Sequence, residues 1–172
     1  MPEPSCEARG RGGRMILVTV GTQLPFPRLL AAMDALAPSL DGEEVIAQAG
    51  PDPAPRPNLD LRSHLPAAEF DRLAAVARLI VGHAGIGTVL TAAAHGRPLI
   101  VMPRRAALGE HRNEHQLATA KRLEGRPGLA VAWTDADVPP LVATPPAAQS
   151  GAAAAPSRAP LIARIRGALD GS

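Results

Sequence analysis

A chain of 172 residues that is 46% hydrophobic and carries a formal charge of +2 has material for one folded core and no large excess of basic charge. Its single cysteine, Cys6, excludes an intrachain disulfide framework and fits a reducing compartment. Scattered basic residues with only 2% aromatics argue against nucleic-acid binding, and no apolar run approaches the roughly 18 residues of a membrane span.

Residues 1–14 carry Arg9, Arg11 and Arg14 without an adjoining apolar stretch, so they read as a disordered tail rather than a signal peptide. Met15–Val20 is apolar and β-branched, the pattern of a buried strand. Gly21-Thr22-Gln23 follows as a turn. Pro27–Leu36 places Leu29, Leu30, Met33 and Leu36 at helical spacing, with Pro27 suited to a first turn. Glu44–Ala47 is a short strand, residues 50–58 form a Pro/Gly-rich loop, and Leu59–Leu61 is a third short strand. Ala67–Ala77 repeats Phe70, Leu73, Ala74 and Ala77 on one helical face.

The second half repeats the alternation. Strand 79–81 meets a glycine cluster, helix 88–95 follows, and strand 99–102 comes after Gly96-Arg97-Pro98. A loop over 103–109, a helix over 111–124 and a strand over 129–133 complete the series. Strands alternating with helices imply parallel pairing through right-handed crossovers, hence an α/β, Rossmann-like three-layer domain over 15–138. Residues 139–160 are Pro/Ala-rich and read as a linker. The segment 161–172 holds Ile162, Ile165 and Leu169 at helical spacing, the pattern of a C-terminal docking helix.

Ligands of open parallel sheets bind beyond the carboxyl ends of the strands. The loops at 21–24, 82–88 and 103–116 all follow strands and are expected to converge there. Gly82-His83-Ala84-Gly85-Ile86-Gly87-Thr88 has the order strand, tight turn, helix start, which suits a phosphate, because first-turn N–H groups are unpaired and glycine permits close approach. Its spacing is G-x-x-G-x-G, not the dinucleotide fingerprint, and it lacks the Gly-Lys-Ser/Thr of a P-loop. A ligand-free connection is the equally weighted alternative. His83 suits a base, a phosphate donor or a plain turn residue. Thr22 and Gln23 offer side-chain hydrogen bonds beside Gly21. Arg104 and Arg105 follow a strand and suit a diphosphate, an anionic surface or plain solvation. His111-Arg112-Asn113-Glu114-His115 matches H-x-x-E-H, a helical zinc motif, but no suitable downstream acid completes such a site.

The run HAGIGTVLTAAAHGRPLIVMPRRAALGEHRNEHQLATA, beginning at His83, resembles the C-terminal domain of glycosyltransferase family 28. VTVGT at 18–22 resembles the start of the small catalytic subunits of two-part transferases in that group, and LPAAEFDRLAAVARLIVGHAG resembles their helix-strand-HAG segment. The similarity spans about residues 15–135. It implies the nucleotide-sugar half of a GT-B enzyme with a UDP-sugar donor, no bound metal and no cofactor. Gly85, Ile86, Gly87 and Thr88 match the turn near the donor phosphates and ribose. Gly21, Thr22 and Gln23 match the first loop, and Leu65 matches a loop bordering uracil. Asn113, His115 and Gln116 match the polar segment near the donor sugar. Thr91 stands where the family often has a ribose-binding Glu.

A full GT-B enzyme has two such domains. The resemblance therefore implies a membrane-anchored acceptor-binding subunit as partner, a lipid-linked glycan as acceptor, and a place at the inner face of the cytoplasmic membrane. The expected activity is hexose transfer in exopolysaccharide or capsule assembly, with inversion and with His83 as base. The alternative is a non-catalytic accessory subunit that stabilises its partner.

Overall fold

The structure, a computed structural model, describes residues 14–148. Residues 1–13 of the tail expected over 1–14, the later part of the linker (149–160) and the docking helix over 161–172 lie outside the described residues.

Six strands form one parallel sheet: β1 (Met15–Thr19), β2 (Glu44–Gln48), β3 (Asp60–Arg62), β4 (Leu79–His83), β5 (Leu99–Met102) and β6 (Leu129–Val131), in the order β3-β2-β1-β4-β5-β6. Five helices connect or flank them: α1 (Pro27–Leu36), α2 (Ala67–Val76), α3 (Ile86–Ala94), α4 (His115–Leu123) and α5 (Val138–Ala143). Side chains alternate along each strand. Ile16 and Val18 of β1, Leu79 and Val81 of β4, and Ile100 and Met102 of β5 enter one core with Phe26, Leu29, Leu30 and Met33. Leu17, Ile80, Leu99 and Val101 enter the other, against Leu73 and Ala74 of α2, Val89 and Ala92 of α3, and Ala120 and Leu123 of α4. Burial on both faces explains why these strands read as unbroken apolar runs.

Most strand and helix ends shift by one or two residues from the sequence reading, and four differences have a local reason. β4 runs on through His83, since Gly82 pairs with Thr19 of β1 and Val101 of β5. α3 starts at Ile86 rather than residue 88, with Gly85 as its N-cap. α4 starts at His115 rather than 111; the Asn113 side-chain oxygen accepts the His115 N–H at 3.2 Å, ending the preceding loop. Finally, α5 occupies residues expected to begin the linker. Pro139 and Pro140 fall in its first turn, where a missing N–H costs nothing, and Val138 and Val142 are buried in the first core. The folded part therefore continues beyond residue 138.

Candidate functional site

The chain runs outward from β1 to β3 on one side and from β4 to β6 on the other, so the sheet order reverses between β1 and β4. Loops leaving the carboxyl ends of such neighbours diverge to opposite faces and open a crevice. A cleft of about 260 Å³ lies there, lined by Val20, Gly21, Thr22, Gln23, Leu24, His83, Arg104, His111 and Gln116. It draws on the loops after β1, β4 and β5.

The back of the cleft is braced by Arg104, which is 2% exposed. Its guanidinium donates to the carbonyls of Val20 at 2.6 Å and Leu24 at 2.8 Å, and to those of Pro25 and Glu110. Phe26 lies under it at 4.7 Å. Carbonyl dipoles and a ring face, rather than a carboxylate, hold this charge, and burial lowers the pKa of the group. A second brace runs from Arg28, bidentate to the Glu110 carboxylate at 2.7 and 2.9 Å. Glu110 also accepts the Arg105 N–H at 2.9 Å. Together these contacts fasten the β1–α1 loop to the β5–α4 loop.

His83 lies between two glycines. Gly21 has φ +79°, a conformation favoured by glycine, and a Cβ there would stand 3.1 Å from His83 Cε1. A Cβ on Gly85 would stand 2.2 Å from His83 Nε2, so only glycine leaves room for the ring. Nδ1 faces the Thr19 carbonyl in a long 3.5 Å contact; the tautomer protonated on Nδ1 suits that acceptor and leaves Nε2 with a free lone pair. Burial, then the Arg104 charge, push the His83 pKa down to about 4, so the ring is neutral at pH 7.

Across the cleft, the Gln116 side-chain oxygen accepts the Arg104 N–H at 3.0 Å, which orients the amide and leaves its NH₂ and a second lone pair on the oxygen. The Asn113 N–H reaches His111 Nδ1 at 3.3 Å, so a neutral His111 carries its proton on Nε2.

Of the residues expected from sequence, Gly21, Thr22, Gln23, His83, Arg104 and Gln116 line this one cleft. Arg104 does so as a strut whose N–H groups are taken by carbonyls, not as a free clamp. Arg105 likewise donates to the Trp133 carbonyl at 2.6 Å. Gly85 reaches the cleft only by supporting His83. Ile86 and Gly87 are exposed at the start of α3, and Thr88 is buried against Gly82. Thr91 is partly exposed on the same helix and does not line the cleft. Leu65 is buried with its N–H on the Gln48 side chain at 3.1 Å. Asn113 and His115 are exposed and outside the lining. The H-x-x-E-H residues do not share a helix, since only His115 belongs to α4, and among the described residues no group of three or more His, Cys, Asp or Glu is placed to hold a metal. Val20, Leu24 and His111 line the cleft without having been singled out for it; His111 was marked only within the zinc pattern.

The model of the glycosyltransferase family 28 C-terminal domain matches residues 15–137, and the chain belongs to that family. No curated protein matches it. Among solved structures, the glycosyltransferase of kitacinnamycin aligns over 99% of this chain and 43% of its own, with 18% identity and a TM-score of 0.58. CalG4, the calicheamicin glycosyltransferase, aligns over 94% of this chain and 39% of its own, with 20% identity and a TM-score of 0.52. A solution structure of ALG13 aligns over 92% of this chain and 87% of its own, with 17% identity and a TM-score of 0.49. The first two likenesses carry the fold: this chain spans about two fifths of those transferases and has the Rossmann-like architecture of one half of a GT-B enzyme. No described helix is long and apolar enough to cross a membrane.

Proposed function

We propose that the chain is the donor-binding subunit of an inverting glycosyltransferase that moves a hexose-type sugar from a UDP-sugar to a polyprenyl-diphosphate-linked glycan. The observation that carries this reading is the convergence of Gly21, Thr22, Gln23, His83 and Gln116 from three strand-end loops on one cleft at the sheet's switch point. Family membership supports the chemistry. The cleft volume of about 260 Å³ falls below the roughly 300–1,000 Å³ usual for small-molecule sites, which suits a site completed by another polypeptide. That partner is a membrane-anchored subunit bearing the acceptor, and it holds this chain at the inner face of the cytoplasmic membrane during exopolysaccharide or capsule assembly.

In this mechanism the acceptor hydroxyl attacks the anomeric carbon from the face opposite the leaving group. The bond to the diphosphate oxygen breaks, and its electron pair leaves with UDP. The hydroxyl proton passes to His83 Nε2, the acceptor nitrogen. N–H groups in the first turn of α3, which has no side-chain cap, stabilise the departing charge through Gly85, Ile86, Gly87 and Thr88. Thr22 and Gln23 contact sugar or diphosphate within the cleft; Asn113, His115, Leu65 and Thr91, which lie outside its lining, take the sugar, uracil and ribose contacts that the family resemblance implies only where the ligand extends beyond the cleft.

A second reading, a non-catalytic subunit that stabilises the true transferase, is favoured by one observation. A histidine with a pKa of about 4 is a weak base at neutral pH. Calorimetric titration of UDP-sugars, with and without the partner recovered from native membranes, tests the donor site. Heat of binding in either condition supports it, and none in both removes it. Wild-type transfer rates in a complex carrying both His83→Ala and Gly87→Trp select the accessory reading.

A further inference from the structure

The edge of the sheet opposite the ligand cleft carries a second and larger depression. A groove of about 500 Å³ lies near the amino ends of β1, β2 and β4, between the end of α1 and α5. Its apolar wall is formed by Leu36 and Leu40, half-buried against the first core, and by Val142 and the exposed Ala143 of α5. Two of its charged residues hold each other: Arg78 donates to both oxygens of the Glu43 carboxylate, one of them at 2.6 Å. The other two, Arg14 and Asp41, are exposed, and their side chains bond to no described residue. The described fold therefore leaves an apolar wall uncovered here, with one cation and one anion unpaired at its rim.

Residues 161–170, outside the described part, match each of these features. Leu161, Ile162, Ile165 and Leu169 recur at the spacing of one helical face. Arg166 and Asp170 stand four apart on the flank of that stripe, a cation for Asp41 and an anion for Arg14. Ala143, on the lip of the groove, is the last residue of α5, so the chain leaves that helix at the groove itself. The 17 residues from 144 to 160 span at most about 60 Å. That is ample for the segment to turn back, and short enough to keep it near the groove at roughly millimolar effective concentration. A separate polypeptide has no such advantage. We propose that residues 161–170 of this chain dock in the groove, with the aliphatic stripe on Leu36, Leu40 and Val142, Arg166 against Asp41 and Asp170 against Arg14. The contact is intramolecular and lies at the edge remote from the ligand cleft, so it stands or falls independently of the ligand assigned there.

Amide hydrogen exchange of the full chain, read by mass spectrometry, tests the docking. In wild type the amides of 161–169 exchange about tenfold or more slowly than those of 149–160, each corrected for its intrinsic rate. Ala143→Arg and Ser39→Arg, both at exposed groove positions, place a bulky cation in the groove and bring the two rates together. Arg166→Glu has a smaller effect, about two- to fivefold, because an exposed ion pair contributes little. Unchanged exchange in β1 and β4 shows that each variant keeps its fold. In a Cys6→Ser background, Ser39→Cys paired with Ile165→Cys forms an intrachain disulfide about tenfold faster than Ser39→Cys paired with Ala154→Cys, which is tethered but not docked. Exchange in 161–169 as fast as in 149–160, or slow exchange that neither groove variant alters, overturns the proposal. Protection that grows with protein concentration, or a disulfide found only between chains, gives the groove to a second copy and overturns it too.

Discussion

The glycine turn between β4 and α3 and the long loop between β5 and α4 shape the same cleft by opposite means. The turn works through what it lacks. Gly85 makes room for the His83 ring, Gly82 lets Thr19 and Thr88 close in from either side, and Gly87 has nothing within 4 Å of where a Cβ would stand. The loop works through long charged side chains, with Arg104 and Glu110 reaching partners some 80 residues away in sequence. One wall is shaped by close approach of backbone, the other by fixed charge. Damage to the first should therefore appear as steric strain at particular atoms, and damage to the second as loss of fold and field together.

The sharpest way to break this contrast is Arg104→Met. It leaves the carbonyls of Val20, Leu24 and Pro25 without their buried donor, and each such orphan costs about 1–3 kcal/mol. An overall loss of about 3–5 kcal/mol is expected in urea unfolding. Arg104→Lys should recover little of it, since an ammonium cannot span the same set of carbonyls.

Next in size is Gly82→Ala. Its methyl would sit 2.9 Å from Thr88 Cγ2 and 3.0 Å from the Thr19 carbonyl oxygen, and backbone cannot step aside cheaply. The expected cost is about 1–3 kcal/mol, read by the same unfolding curves.

Acid then separates the walls by pH. His83 has its folded pKa depressed from 6.5 to about 4, so the unfolded chain binds the extra proton first, and this contribution to stability is lost as pH falls from about 6.5 toward 4. For Glu110, burial acts to raise the pKa, but the Arg28 and Arg105 bonds outweigh it and the net shift is downward from 4.5. Its contribution is present above that value and fades only below it. Thermal melts from pH 7.5 to 3.5 should show two successive declines. His83→Gln should flatten the upper one and Glu110→Gln the lower. An unchanged upper decline in His83→Gln would show that another group is responsible.

The smallest effect on stability, and the most selective, is expected from Gly87→Ala. Open space surrounds the added methyl, so unfolding should stay within about 0.5 kcal/mol of wild type. If a diphosphate rests on this turn, UDP affinity should fall about tenfold in calorimetry. Equal UDP affinity would mean the glycine serves only the chain.

The same contrast explains what the sequence made legible. β1 and β5 could be read because buried parallel strands are unbroken apolar runs, and the glycine turn because its residue types have few other uses. The order of the strand-end loops then followed from the alternation of elements. The β5–α4 loop could not be read this way. Nothing local marks Arg104 as a strut rather than a ligand clamp, because its partners lie in the β1–α1 loop. His111 was noticed only as half of a metal pattern, which assumed a helix that begins at His115. α5 was hidden by composition: Pro139 and Pro140 look like linker unless Val138 and Val142 are seen to share one face.

The two outermost strands, β3 and β6, are each three residues long. Such stubs expose few backbone N–H and C=O groups for a neighbouring chain to template upon, so sideways growth into a shared ribbon between molecules is disfavoured. The helical flanks and the rim where the strands end are then the surfaces better suited to an assembly partner.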